Sequence, residues 1–271
     1  IYQTMWIELL SIENVKCFEK QMIRFGSTKE PYPWVTLLGE NATGKSTILQ
    51  AIAIMLAGPE GANQLFKPEG WLKNKSKHGK LSVRLHQSTN DPGLFGGDKK
   101  ERKVFQYTLY VTGNEKLEIN KKVFTEPIIT EDTNSKTLPW LRQNALLPKG
   151  KGWFGAGYGA FRRLTRNNSR IIVPSLQTPL RYTNFFSQFK EDESLEAFET
   201  WMVYLDYRIS KINDEIAKRQ KNWSIHAFNQ LLPQGNSFDS IDADGRIWFN
   251  VNGEKVSTVA LSDGFRSVLA L

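Results

Sequence analysis

Nine residues constrain this chain more than any others: Gly39-Glu40-Asn41-Ala42-Thr43-Gly44-Lys45-Ser46-Thr47 fits the P-loop pattern G-x-x-x-x-G-K-[ST]. The pattern is informative when a buried strand precedes it and a helix follows, and both flanks are present. Trp34-Val35-Thr36-Leu37-Leu38 is a β-branched and apolar run of the kind found in a buried strand. From Lys45 onward, Ile48, Leu49, Ile52, Ala53, Met55 and Leu56 make most faces of a helix apolar, and Gly58-Pro59 reads as its stop. In that setting the main-chain amides of Gly39, Glu40, Asn41, Ala42, Thr43 and Gly44 converge on phosphate oxygens at the positive end of the helix. Lys45 is the candidate catalytic residue, reaching the β and γ phosphates of a nucleoside triphosphate. Ser46 is the candidate Mg²⁺ ligand, and Thr47 adds a contact to the α phosphate.

The rest of the chain divides by its patterns. Trp6 to Phe25 alternates apolar and polar residues (Ile7, Leu9, Ile12, Val15, then Met22, Ile23, Phe25) and reads as two strands turning near Glu13-Asn14. Leu81 to Gln87, Val104 to Val111 and Leu117 to Phe124 show strand alternation between polar loops, which predicts an antiparallel subsheet. Regular patterns fade between Pro127 and Gln188, where Gly150 to Gly159 is glycine-rich. Glu191-Asp192-Glu193 opens a long helix with an acidic first turn. Leu195, Phe198, Met202, Leu205, Ile209, Ile212 and Ile216 draw one apolar stripe along it. Arg246 to Val251 and Lys255 to Val259 form a hairpin through Asn252-Gly253, because both turn positions tolerate positive φ. These readings divide the chain into a P-loop core with an antiparallel β subdomain (1–130), an irregular linking region (131–190), a helical subdomain (191–235) and a terminal hairpin with a second motif (236–271).

The second motif is Leu261-Ser262-Asp263-Gly264, a serine cap and a glycine at the start of an apolar helix, a geometry that holds either an anion or nothing. Taken with the P-loop it resembles the ABC ATPases, and within them the SMC and RecF-like branch. The opening Leu10-Ser11-Ile12-Glu13-Asn14-Val15-Lys16-Cys17-Phe18 and the run Ser267-Val268-Leu269-Ala270-Leu271 match that branch in order. The resemblance implies an α/β fold, an ABC-type ATPase head with a P-loop core, an antiparallel β subdomain and a helical insertion. It implies ATP and Mg²⁺ as cofactors and a homodimer or higher homo-oligomer closing on ATP, with Ser262, Asp263 and Gly264 acting in trans. The helical interval of about forty residues is too short for an SMC coiled coil at about 1.5 Å per residue.

Gly157-Tyr158-Gly159-Ala160-Phe161-Arg162-Arg163, with Arg181-Tyr182 and Phe185-Phe186, narrows the resemblance to the ATPases of bacterial anti-phage systems of the Septu type. Those work with an HNH-nuclease partner. A RecF-like repair ATPase and a nucleotide-gated scaffold with little turnover share the same motifs. Two departures stand out. The family's Walker B strand, catalytic glutamate and switch histidine lie downstream of the signature, so this sequence is expected to be part of a longer protein. The glutamine usually found between the motifs is replaced by Gly155-Ala156-Gly157-Tyr158-Gly159, with Gln87 a weak substitute.

A formal charge of +8 suits a phosphate-rich partner such as DNA. The clusters Lys73, Lys75, Lys77, Lys80 and Lys99, Lys100, Arg102, Lys103 read either as a DNA contact or as solvated loop tips. Cys17 is the single cysteine, which excludes an internal disulfide and points to a reducing, cytoplasmic setting. No stretch approaches the ~18 apolar residues of a membrane span. Gly150 to Gly155 satisfies the dinucleotide fingerprint without its helix. His78, His86 and His226 lack metal-ligand spacing, and Asp242-Ala243-Asp244-Gly245 reads as a polar turn.

Overall fold

The computed structural model describes residues 5–87, 104–146, 153–159, 180–189, 196–261 and 265. It comprises two compact units, Ile1–Gly157 with Pro179–Phe189, and Tyr158–Thr178 with Lys190–Leu271. The first is built on a five-stranded antiparallel sheet. Its strands are β1 (Trp6–Val15), β2 (Phe18–Arg24), β3 (Gly79–His86), β4 (Val104–Val111) and β7 (Ile129–Glu131), in the order β2-β1-β3-β4-β7. Apolar residues fall opposite one another along its inner face: Leu10 against Val83, Ile12 against Leu81, Leu81 against Leu109, Val83 against Tyr107. All of these are buried, and together with Ile48, Ala51, Ile54 and Met55 of helix α1 (Lys45–Leu65) they form one core.

Helix α1 is broken rather than stopped at Gly58, whose φ of 74° and ψ of 173° are not helical, and it resumes to Leu65. The next residue, Pro59, has no N–H, so the carbonyl of Met55 has no intrahelical donor. The hydroxyl of Tyr107, on β4, donates to that carbonyl. Burial pushes the Tyr107 phenol far above its ordinary range, so it remains a donor. Asn63 extends the join by donating to the carbonyl of Ile129 and accepting from its amide, at 2.7 and 2.9 Å.

A bulge between Ile7 and Leu9 leaves Glu8 as an extra residue on β1, on the sheet face that carries Arg84 and His86. Only 1% exposed, its carboxylate receives His86 Nε2 at 2.7 Å and the guanidinium groups of Arg84 and Arg24 at 3.3 and 3.4 Å. The indole of Trp6 stacks on the His86 ring at 4.8 Å. The core-facing positions of β1 are therefore Ile7, Leu10, Ile12 and Val15; Leu10 takes the place expected of Leu9, which lies opposite Arg84 on the other face.

Several predicted boundaries move. The β1–β2 turn lies at Lys16-Cys17, because Asn14 is occupied elsewhere. Its side chain donates to the carbonyls of Asn74, Lys77 and His78, and accepts from the Asn74 amide at 2.7 Å. Leu117 to Phe124 is a hairpin, β5 (Leu117–Ile119) and β6 (Lys122–Phe124), reversed by Asn120 and Lys121 at φ of 52° and 65°. Between Pro127 and Gln188 stand β7, helix α2 (Leu138–Asn144) and a 3-10 helix (Arg181–Gln188). Trp34 to Leu38 is not the expected buried strand. It joins no sheet among the described residues, and Trp34 and Leu38 are 90% and 88% exposed. Apolar composition favours a central strand only where neighbours supply ladder bonds and cover.

In the second unit the predicted long helix is an antiparallel-type pair, α3 (Glu196–Ile212) and α4 (Glu215–Leu231). Asn213 at φ 48° ends the first, and Asp214 caps the second by accepting from the amides of Ile216 and Ala217. Met202 and Leu205 of the stripe are buried, whereas Ile212 and Ile216 flank the break and are 69% and 57% exposed. Strands β8 (Asn236–Ile241), β9 (Ile247–Val251) and β10 (Glu254–Ser257) form a sheet in that order, turning at Asn252-Gly253 with φ of 53° and 92°. The Asp242 carboxylate organises the β8–β9 turn, accepting from the amides of Asp244 and Arg246 and from the Trp248 indole. Among the described residues no helix is long and apolar enough to cross a membrane.

Candidate functional site

The loop from Gly39 to Gly44 is held closed by its own side chains. Lys45 Nζ donates to the carbonyls of Gly39 and Glu40 at 2.7 and 2.6 Å, and Thr43 Oγ1 donates to Glu40 at 2.8 Å. Carbonyls on one side of the loop are thus taken up by Lys45 and Thr43. Ala42 has φ of 65°, and Gly44, at the N-cap of α1, has φ of 96°. No side chain caps the helix. Its first amides, which have no intrahelical acceptor, keep their partial positive charge for a ligand.

A cavity of about 530 Å³ opens at this helix end, lined by Asn41, Ala42, Gly44, Lys45, Ser46 and Thr47 of the motif. Ser46 is exposed there and Thr47 is buried. Gly39, Glu40 and Thr43 complete the loop without lining the cavity. The other wall comes from Lys16 and Cys17 in the β1–β2 turn and from Gly70 after α1. Sequence reasoning named none of these three as part of a site; Lys16 and Cys17 entered only within the opening run Leu10 to Phe18 that matches the SMC and RecF-like branch. Ser262, Asp263 and Gly264 lie outside the described residues.

Gly44 is where the two walls meet. A Cβ there would stand 2.5 Å from Phe18 Cζ and 2.6 Å from Cys17 Sγ. Left-handed backbone alone costs a residue with a side chain about 1–2 kcal/mol. Gly44→Ala is therefore expected to lower stability by at least that amount and to displace the β1–β2 turn, read by urea unfolding. A variant as stable as the parent would mean that the turn does not press on the loop.

Other predicted residues fall elsewhere. Gly155 and Gly157 pack on the 3-10 helix, Gly157 donating its amide to Asn184 at 3.0 Å and accepting from Ser187 Oγ at 3.2 Å. A Cβ on Gly157 would stand 2.6 Å from the Gln188 amide, so close packing explains the glycine. His78 meets the edge of Tyr110, and His226 pairs with Gln230. Lys73, Lys75 and Lys77 are exposed on the loop that Asn14 holds; Lys99, Lys100, Arg102 and Lys103 lie outside the described residues.

A mixed α/β unit with an uncapped helix start, a lysine-bridged glycine loop and a cavity between them defines a phosphate-binding P-loop domain. The family described as AAA domain matches residues 9–244, and the chain belongs to that family of P-loop ATPases. It is also similar to the Septu protein PtuA of Bacillus mycoides (strain KBAB4), 39% identical over 83 residues. The matched segment is 30% of this chain and 12% of that protein's length.

Proposed function

We propose that the chain is the nucleotide-binding part of an ATP-driven switch of the ABC head type, acting in bacterial anti-phage defence. The observation that carries this reading is the Gly39–Thr47 loop, whose uncapped helix end and Lys45 ammonium face one cavity with Ser46. The triphosphate lies along the first turn of α1, its charge met by main-chain amides and by Lys45, which exchanges its bonds to Gly39 and Glu40 for phosphate oxygens. The exposed Ser46 hydroxyl has the chemistry to hold Mg²⁺, which when bound neutralises charge on the β and γ phosphates. Lys45 steadies the same charge as the terminal phosphate is transferred to water, a contribution of position and electrostatics rather than covalent chemistry.

ATP joins two copies, with Ser262, Asp263 and Gly264 of one meeting the phosphate held by the other. The closed dimer regulates a nuclease partner of the HNH type, a role supported by the similarity to a Septu protein. DNA contact through the exposed lysines around Lys75 belongs to the same reading.

Cys17 supplies the test, since its exposed thiol lines the cavity. In the full-length protein, Mg·ATP should slow iodoacetamide modification of the Cys17 peptide about tenfold, because a bound ligand has most of its surface covered by the pocket walls. Equal rates with and without nucleotide would place the ligand elsewhere and remove the reading.

A further inference from the structure

Helix α4 carries two apolar faces, and only one is used inside its own unit. On that side Ala217 is buried, and Ile225 and Phe228 pack on the cluster that holds Met202, Leu205 and Phe249. The other side runs from Ile216 through Trp223 and Ala227 to Leu231, with Gln220 between the first two. Residues seven and four apart share one side of a helix, so these four form a stripe of roughly 22 Å. All four are exposed, and Trp223 is 77% exposed.

The charges beside the stripe decide what fits it. After Glu215 the helix has no Asp or Glu, yet it carries Lys218, Arg219 and Lys221. Lys221 is taken by Asp206 of α3, and Lys218 lies 3.6 Å from Glu215. Arg219, next to the stripe, donates only to the Glu215 carbonyl and meets no carboxylate among the described residues. His226 and Gln230, 3.1 Å apart, continue the same polar flank.

A second copy of α4 laid along the stripe has nothing to set against Arg219. Pairing in the same direction puts like charge on like. Pairing in the opposite direction faces it with the last turns, where Ser224 to Leu231 hold no carboxylate. A nucleic-acid strand suits Arg219 and the Trp223 ring, but it gives no apolar cover to Ile216 and Leu231 at the two ends.

We propose that this face of α4 is a docking surface for an acidic amphipathic helix of a partner protein. The partner lays an apolar stripe of about four turns on Ile216, Trp223, Ala227 and Leu231, and sets Asp or Glu against Arg219. Trp223 is the anchor, the residue type that most often dominates such contacts. The proposal does not depend on the nucleotide reading.

The test is titration of the full-length protein with a fluorescein-labelled helical peptide of leucine heptads flanked by glutamate, and with a twin carrying lysine in place of glutamate. The acidic peptide should bind saturably, and the lysine twin about tenfold more weakly or worse. Trp223→Ala should weaken the acidic peptide about tenfold, as loss of an interface anchor does. Arg219→Glu should reverse the preference between the two peptides. Both positions are exposed, so both variants should match the parent in urea unfolding. On the unaltered protein, the acidic peptide should reduce hydroxyl-radical oxidation of Trp223 and leave that of Trp34 unchanged, a readout that needs no variant to fold. No saturable binding, equal affinity for the two peptides, an unreversed preference in Arg219→Glu, or binding that survives Trp223→Ala overturns the proposal. So does a nucleotide-free dimer in sedimentation velocity that Trp223→Ala abolishes, which assigns the face to a second copy. Oligo-dT binding that Trp223→Ala abolishes assigns it to nucleic acid and overturns the proposal as well.

Discussion

Replacing Lys45 by alanine is expected to weaken Mg·ATP binding by roughly two orders of magnitude or more, measured by equilibrium titration of the full-length protein. Two losses combine. The ammonium that faces the β and γ phosphates disappears, and charge-assisted bonds of this kind are worth about 1.5–3 kcal/mol each. The bridge from Lys45 Nζ to the Gly39 and Glu40 carbonyls disappears as well, so the loop is no longer held in one arrangement before the ligand arrives. Global stability should change by less than about 1 kcal/mol, because those bonds are exposed and lie within one short loop. Unchanged affinity in a folded Lys45→Ala protein would disprove phosphate binding at this helix end.

The second large effect is on stability, at Glu8. Truncation to alanine leaves the buried His86 ring without its 2.7 Å partner and deprives Arg84 of its anion. Breaking a buried pair in this way costs about 3 kcal/mol or more. Its acid dependence has a definite sign. Burial pushes the Glu8 carboxyl up, but the hydrogen bond from His86 and the charge of Arg84 outweigh it and hold the group below the ordinary 4.5. The unfolded chain therefore takes up the proton first as pH falls. The contribution of Glu8 is complete above about pH 4.5 and is lost as pH drops through the lower folded value. Urea unfolding from pH 7 to pH 3 should show Glu8→Gln less stable than the parent at neutrality, with the difference shrinking in acid. A constant difference across that range would sink the account.

The sequence revealed the site better than the frame around it. The P-loop is a local object: its glycines, its lysine and the apolar helix behind it are consecutive, so residue order alone identifies them. Asn252-Gly253 was legible for the same reason, since a two-residue turn needs only residues that accept positive φ. What was missed depends on contacts between distant segments. Asn14 was read as a turn residue, but its amide is committed to the loop around Asn74, which moves the turn to Lys16. Glu8 is buried at a bulge that shifts the core position from Leu9 to Leu10, and no periodicity count expects a buried carboxylate there. The apolar stripe through Ile216 outlasts its helix because periodicity does not register Asn213 in a left-handed conformation. Strand β7, three residues long, is defined by pairing with β4 and by Asn63, both remote in sequence. Lys16 and Cys17 joined the site only through the fold, because the β1–β2 turn that carries them packs against Gly44 of the motif.

The join between Tyr107 and the Met55 carbonyl bears on the order in which the molecule assembles. The intrahelical hydrogen bonds between Lys45 and Ala57 need nothing from outside to form, so these turns can form early. Beyond Pro59 the rod is continuous only by courtesy of a phenol carried on a strand some fifty residues later. The phosphate-holding end can consequently exist while the far end is still frayed, and amide exchange from Glu60 to Leu65 should share the protection of β4 rather than that of the first turns.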